Sequence, residues 1–519
     1  MINRILAVGG LTLLSRVTGF ARDIVMAAVL GAGPVADAFF VAFRLPNHFR
    51  AIFAEGAFAA AFVPAYSRVR VAGGVDAAKL FGDRIFTLLF ASQVVLLVLA
   101  LLFTSQVIEL LAPGFEHDQG RFGLAVELTR ITFPYLLLMT LVTLFSGILN
   151  SIGKFATAAI APNLLNLVMM VALLLAAFFP TPGHAAAWGV VIGGVLQVLL
   201  VGGDALRSDV LTAFRWPRWD DDVKRFFKAL VPATVGSAGV QLALFADTII
   251  GSLLAAGALS ALYYADRLYQ LPGGVIGIAV GTVLLPEMSR QIAAGDEQGA
   301  RAAQDRAIEF TLLLAVPCLV AFLVIPDLIM RALFMRGKFT PEDAHAAAMT
   351  LAAYSIGLLP FVLMRSVVAT FLARGDTATP VKAALTAAGV NIAFKVAFLY
   401  LTALAQVGLA LATSFGTWIN FLLIVWFGTR ARRMALDRDL RRALAKFAVA
   451  ALVMAAALWL GQVGTAGLRA EIALVLLAVL GAAVYAAAIL ALFGRGWIAG
   501  LWRTAPVTPP PSSVPPEQA

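Results

Sequence analysis

Apolar residues in this chain come in long runs bounded by charge or by Gly/Pro clusters. A helix that crosses a bilayer needs roughly 20 mostly apolar residues. Fourteen runs of that kind are centred near residues 18, 50, 96, 138, 168, 195, 242, 275, 318, 358, 390, 417, 452 and 482. They predict an all-α integral membrane protein with fourteen transmembrane helices. The second and eighth runs are long, and breaks are expected at Pro46 and Pro272, where proline interrupts the backbone ladder.

Basic residues orient the spans. With the N-terminus placed in the cytoplasm, 25 Lys and Arg fall in inside segments and 5 fall outside. That bias puts both termini in the cytoplasm, because the span count is even. The first apolar stretch, Ile5–Leu14, runs into Ser15 and Arg16 without a small-residue cleavage site, so no cleaved leader is expected. The basic run Arg430–Lys446 reads as an anchor on anionic phospholipid.

The chain also repeats itself. FVPAYSR at 62–68 matches LLPEMSR at 284–290, an offset of 222. At the same offset Gly73 meets Gly295, Lys79 meets Arg301 and Gly153 meets Gly375. LGAGPVADAFF at 30–40 resembles LAAGALSALYY at 254–264. Two six-helix halves an even number of spans apart share one orientation, and parallel-repeat transporters place the substrate between such halves. The expected organisation is an N-terminal six-helix lobe at 1–206, a cytoplasmic linker at 207–222 and a second six-helix lobe at 223–433. Two extra helices follow at 434–503, then a Pro-rich tail at 504–519. The tail, ending TPPPSSVPPEQA, is expected to be disordered.

Composition narrows the chemistry. Hydrophobic residues make up 61% and charged residues 13%, against about 25% charged in a soluble domain, which excludes a soluble enzyme. A single cysteine, Cys318, excludes a disulfide framework. The four histidines are scattered, so neither a metal site nor a cofactor is expected. Gly147–Lys154 is P-loop-like but has five residues between its glycines, and Phe155 follows the lysine. No ATP-driven engine is read. The net charge of +10 reports cytoplasmic loop bias, with no nucleic-acid partner implied.

Nine basic residues fall within or at the edges of spans: Arg16, Arg22, Arg44, Arg50, Arg130, Lys228, Arg267, Arg365 and Lys395. Each costs roughly 2.5–3.5 kcal/mol at mid-membrane on insertion scales, so each is expected to face protein or a wet cavity. The first two spans carry Arg16, Arg22, Asp23, Asp37, Arg44, Arg50 and Glu55. Internal pairing is one reading: Asp37 and Arg44 share a helix face, and Asp23 and Glu55 offset two more arginines. It leaves one arginine over, and Arg267 stands in the matching span of the other half. Arginine keeps its charge and offers a planar fork suited to phosphate, so the pattern points to an anion site.

Asp247 and Lys395 are further buried charges, in LALFADTIIGS and VNIAFKVAFLY, with Asn391 one turn before the lysine. Either Asp247 and Asn391 supply oxygens to a sodium ion, or Lys395 fills the cation position and pairs with Asp247. The pair is favoured, because an ammonium repels sodium. A third reading lets Lys395 snorkel to an interface.

GFARD at 19–23 and GAGPVADAFFVAFRLPNHFRAIFAEGAFAAAFVP at 31–64 closely resemble the MurJ/MviN family of the multidrug/oligosaccharidyl-lipid/polysaccharide exporter superfamily. YYADRLYQLPGGVIGIAVGTVLLP at 263–286 resembles the family's eighth helix. The resemblance implies a lipid II flippase of the bacterial cytoplasmic membrane that works by alternating access, driven by membrane potential. It implies substrate contacts at Arg16, Arg22, Arg50, Arg267 and Asn47. It implies a tail groove from the last two helices. Asp23, Asp37, Arg44 and Glu55 are expected to be gating or structural charges. A monomer is expected, with lipid II and the anionic bilayer as partners and cell-wall synthesis proteins as further candidates. The alternative is a flippase for another polyprenyl-linked glycan or a drug exporter of the same superfamily. A membrane enzyme acting on polyprenyl phosphates and a scaffold are more distant rivals.

Overall fold

A computed structural model describes residues 2–50, 57–431, 433–434 and 437–501; side chains are described except at 2–9, 12, 49–50, 57, 233, 235–243, 278–279, 281–282 and 498–501. The Pro-rich tail and Glu55 therefore lie outside the described residues, as does the Arg50 side chain. The first half is built from α1 (Ile2–Leu30), α2 (Pro34–Arg50), α3 (Ala57–Leu102), α4 (Thr104–Leu111), α5 (Gln119–Thr132), α6 (Pro134–Ser151), α7 (Ala156–Leu174) and α8 (Pro182–Arg207). Next come α9 (Asp221–Ser252), α10 (Ala258–Ala293), α11 (Glu297–Val324), α12 (Pro326–Phe334), α13 (Pro341–Ser355), α14 (Leu358–Leu372), α15 (Ala378–Leu401) and α16 (Ala405–Arg430). The chain closes on α17 (Arg438–Thr465) and α18 (Ala470–Leu501). Among the described residues there is no strand.

Among the described residues ten stretches are long and apolar enough to cross a membrane; they include α5 with α6 and α13 with α14 as single broken spans. The charge-bearing helices α1, α2, α9 and α10 lie outside that set of ten. Adding them gives a layout consistent with fourteen spans.

The sequence writes many of the helix starts. Asp118, Asp220, Asp296 and Asp437 each accept from the backbone N–H three residues on and cap α5, α9, α11 and α17. A side-chain acceptor at this position satisfies one of the orphan donors of a first turn.

The residues group into two compact units. One holds Met1–Tyr264, Leu333–Ala347 and Phe398–Leu409. In it α1 packs on α7, α2 on α5, α7 on α8, and α3 on both α6 and α9. Phe58, Phe62 and Tyr66, one turn apart on α3, stack into a core with Phe81 and Phe226. The other unit holds Ala265–Ala332, Ala348–Ala397 and Ala410–Ala519; there α11 packs on α14, α17 and α18.

Pro46 does not break α2, and α10 runs through both Pro272 and Pro286. At Pro46 the reason is visible. The proline leaves the Ala42 carbonyl without its usual N–H donor, and the Thr132 hydroxyl of α5 donates to that oxygen at 3.0 Å.

The repeat has a local counterpart in each unit. Gly153 and Gly375 both take the left-handed conformation, with φ of 83° and 75°, which glycine adopts without strain. Lys154 then reaches Asp204 of α8 at 3.6 Å. At the matching position, Asp376 holds Arg433 at 2.8 Å. Thr157 and Thr379, also 222 apart, donate to Asp204 and Asp376. The turn is the same and the charges are exchanged. The left-handed partner of Gly295 is Gly74, one residue on from the Gly73 that the sequence offset selects.

Candidate functional site

Arg22 stands on α1, nine-tenths buried, in a helix otherwise rich in apolar residues. Its Nε and Nη2 donate to Asp23 Oδ1 at 3.2 and 2.7 Å, and its Nη1 donates to Asn166 Oδ1 at 3.1 Å. Asn166 is fixed in turn: its amide donates to the Ser15 carbonyl and the Thr18 hydroxyl. Thr18 donates to Asn163 at 2.9 Å. Two asparagines three apart on α7 thus clasp α1 from Ser15 to Arg22, about two turns. Tyr263 donates to the same Asp23 oxygen at 3.2 Å. The result is a guanidinium held in one orientation by a carboxylate and an amide.

The second charged constellation lies on α2. Asp37 is 0% exposed. It accepts from the Gly257 N–H at 2.7 Å, the Ser260 N–H at 2.9 Å and the Ser260 hydroxyl at 2.6 Å. These donors belong to the first turn of α10, whose unpaired N–H groups and dipole favour an anion. Arg121 Nη1 lies 3.5 Å from Oδ2, the oxygen that also accepts from Gly257, and the guanidinium covers the Phe115 ring at 4.0 Å.

The Asp37–Arg44 pairing that a shared helix face allows is not formed. The α10 terminus and Arg121 offer a fully buried carboxylate more donors than Arg44 can, and Arg44, half-buried, forms no ion pair with Asp37. Around Asp37 the backbone is keyed closely. The Lys338 N–H donates to the Ala28 carbonyl at 2.8 Å, and Tyr264 donates to the Gly31 carbonyl at 3.4 Å. Gly31 has φ of +71°, and a Cβ there would meet the Lys338 carbonyl at 2.7 Å, so only glycine fits that turn. Phe40 stacks on Tyr263 with ring centroids 4.0 Å apart.

The other predicted residues are placed as follows. Arg16 is exposed on α1, Asn47 is half-buried on α2, and Arg267 is half-buried on α10. Asp247 is half-buried on α9. Lys395 is 2% exposed on α15, and Asn391, one turn before it, donates to the Ala412 carbonyl at 3.1 Å. Among the described residues no group of three or more His, Cys, Asp or Glu has the proximity of a metal site.

Sequence reasoning missed Asn163, Asn166, Arg121 and Ser260. The asparagines left a signal, two amides on one face of an apolar helix. Arg121 left none, because it sits in a polar stretch that reads as an outside loop.

The sequence profile of the family described as "Lipid II flippase MurJ" matches residues 26–480. A protein from Rhizobium tropici named "Probable lipid II flippase MurJ" is 40% identical over 454 residues, covering 84% of each chain. The "Lipid II flippase MurJ" of Burkholderia cenocepacia is 38% identical over 442 residues, covering 83% of this chain and 84% of its own. Among solved structures, one described as "Lipid II flippase MurJ, inward closed conformation" superposes with a TM-score of 0.81 at 24% identity. It covers 95% of this chain and 100% of its own, a likeness of fold.

Proposed function

The chain belongs to the lipid II flippase MurJ family, and on that premise we propose that it carries lipid II from the cytoplasmic to the periplasmic leaflet by alternating access. The membrane is the bacterial cytoplasmic membrane and both termini face the cytoplasm. The observation that carries the chemistry is the buried, oriented Arg22 guanidinium. A charge that costs several kcal/mol to keep inside a membrane serves a charged substrate, and a pyrophosphate headgroup is one.

In this mechanism Arg22 is the first grip. Asp23 balances its charge while the site is empty and yields the fork when pyrophosphate oxygens arrive, because a dianionic group competes well for a bidentate donor. Asn166 keeps the fork aimed during that exchange. Arg16, Arg50 and Arg267 complete the cationic surface, with Asn47 as a polar neighbour. Asp37 acts on the gate and not on substrate: a carboxylate repels pyrophosphate, and its bonds to the start of α10 hold the periplasmic ends of α2 and α10 together. Glu55 and Arg44 are assigned to the same closing machinery.

The lobes are proposed at 1–206 and 223–433, with α17 and α18 forming a groove for the polyprenyl tail. The tail then never leaves apolar surroundings. Of the two readings of Asp247, Asn391 and Lys395 we favour the ion pair, in which transport proceeds equally in sodium and potassium. The transporter is proposed to act as a monomer, without ATP, driven by membrane potential.

The test is purified protein in liposomes loaded with lipid II on one leaflet. Movement of lipid II, but not of a polyprenyl-linked glycan lacking the peptide or of a cationic drug, supports the proposal. Preference for either competitor overturns it in favour of that competitor. Chemical alteration of lipid II would point to an enzyme, and movement of none of the three to a scaffold.

A further inference from the structure

α14 reads LLPFVLMRSVVATFL, and Arg365 is its one charge. The helix lies within the broken span Pro341–Leu372. Arg365 is exposed, and among the described residues no carboxylate stands within 4 Å of its guanidinium. Its stem is nonetheless fixed. On α10, Gly273 and Gly277 present a bare strip of backbone one turn long. A Cβ at Gly273 would stand 2.2 Å from the Phe361 ring, and a Cβ at Gly277 would stand 2.5 Å from Arg365 Nε and 2.6 Å from its Cδ. Phe361 and Arg365, also one turn apart, fill that strip, so the two helices run in the same direction.

Two simpler readings fail on this geometry. A glycine pair accounts for the close approach of two helices but not for a charged side chain at the contact, and Gly277 receives Arg365 Nε and Cδ. An arginine that snorkels runs along its own helix toward the interface. Here the helix end at Leu372 is seven residues away, about 10 Å at 1.5 Å per residue, and the stem crosses sideways onto α10 instead. What remains is a permanently charged fork inside a span, held at its stem, with no carboxylate on its N–H donors among the described residues. That is the form of a phosphate contact.

We infer that Arg365, laid across Gly277, binds phosphate oxygens of the pyrophosphate headgroup. The inference rests on the lipid II reading. Arg267 lies on the same helix as Gly277, ten residues earlier, so α10 would bring two cations to the substrate, one its own and one borrowed from α14.

The experiment measures binding of lipid II to the full chain in nanodiscs of phosphatidylcholine, and separately the enrichment of phosphatidylglycerol around it. Arg365→Met should weaken lipid II binding about tenfold or more, the scale of a lost charge-assisted hydrogen bond. Arg365→Lys should fall between the two, because an ammonium keeps the charge and loses the fork. Gly277→Ala keeps the arginine and only displaces it. It should weaken binding severalfold, and it decides the matter if Arg365→Met does not fold. Unchanged lipid II binding in Arg365→Met and Gly277→Ala overturns the inference. So does a loss confined to phosphatidylglycerol, which would make Arg365 a bulk-lipid contact. Wild-type protein that binds no lipid II would instead sink the lipid II reading itself, and the inference with it.

Discussion

Replacing Asp37 by asparagine changes one atom of a fully buried side chain and removes its charge. The aspartate accepts three hydrogen bonds from Gly257 and Ser260 and faces Arg121 at 3.5 Å. Asparagine keeps one oxygen for Ser260 and turns an N–H₂ toward both the Gly257 N–H and Arg121, which share the other oxygen. The loss is one charge-assisted hydrogen bond and one ion pair, about 2 kcal/mol or more by the usual worth of a hydrogen bond to a charged group. Alanine strands Arg121 and all three donors, and removing one partner of a buried pair costs about 3–5 kcal/mol. Ser260→Ala deletes a single hydroxyl donor and should cost about 1 kcal/mol. At roughly tenfold per 1.4 kcal/mol, Asp37→Asn should raise the population with α10 released from α2 by about 30-fold. Phe40→Cys, in a Cys318→Ala background, reports that release, since Phe40 is 6% exposed and covered by Tyr263. Its labelling by an impermeant maleimide should quicken in the order Ser260→Ala, Asp37→Asn, Asp37→Ala. Equal labelling rates across the series would refute the view that Asp37 latches α10.

Three other outcomes follow from the packing. Thr132→Val removes the donor to the Ala42 carbonyl and should destabilise the folded protein by about 1–3 kcal/mol, the cost of a buried unsatisfied group; Pro46→Ala in the same chain restores an N–H to that carbonyl and should recover much of the loss, and a double variant no more stable in thermal unfolding than Thr132→Val would contradict the assignment. Asn166→Leu should reduce lipid II transport more than it reduces stability, because it frees the Arg22 fork to turn; transport and melting temperature measured on one preparation separate the two, and equal losses would reduce Asn166 to a packing residue. Asp376 lies in the turn between α14 and α15, and its carboxyl is held below the ordinary aspartate range by the hydrogen bond from Arg433 and the Thr379 N–H. A depressed carboxyl contributes stability above its unfolded pKa and loses it as pH falls through the folded value, so Asp376→Asn should lower the melting temperature at pH 7 and converge with wild type in strong acid; an unchanged difference across that range would show that the charge is not what acts.

The spans were legible because a bilayer leaves the backbone few choices: long apolar runs must be helices, and their ends carry the aspartates that cap them. Helix breaks were less legible. Pro46 looked like a break and is not, because the donor that rescues Ala42 comes from Thr132, ninety residues away. The fourth and tenth spans, which looked continuous, are each made of two helices, divided at Phe133 and at Ile356–Gly357. For the site, the charge pattern singled out α1, α2 and α10, but spacing alone could not show which groups meet. Asp37 and Arg44 share a face, so local spacing suggested a pair; the start of α10 and Arg121, distant in sequence, supply better donors. Asn166 was readable from its spacing with Asn163, but its role depended on which helix α7 meets.

The central claim is that this chain moves lipid II across the cytoplasmic membrane and that the Arg22 fork is needed to do it. The most direct test depletes the protein in its own cell while lipid II synthesis continues, and measures the fraction of lipid II that a periplasm-restricted probe can reach. This fraction should collapse on depletion, return with the wild-type chain, and fail to return with Arg22→Ala present at equal membrane abundance. A periplasmic fraction that stays at its starting value after depletion, or that Arg22→Ala restores in full, would contradict it.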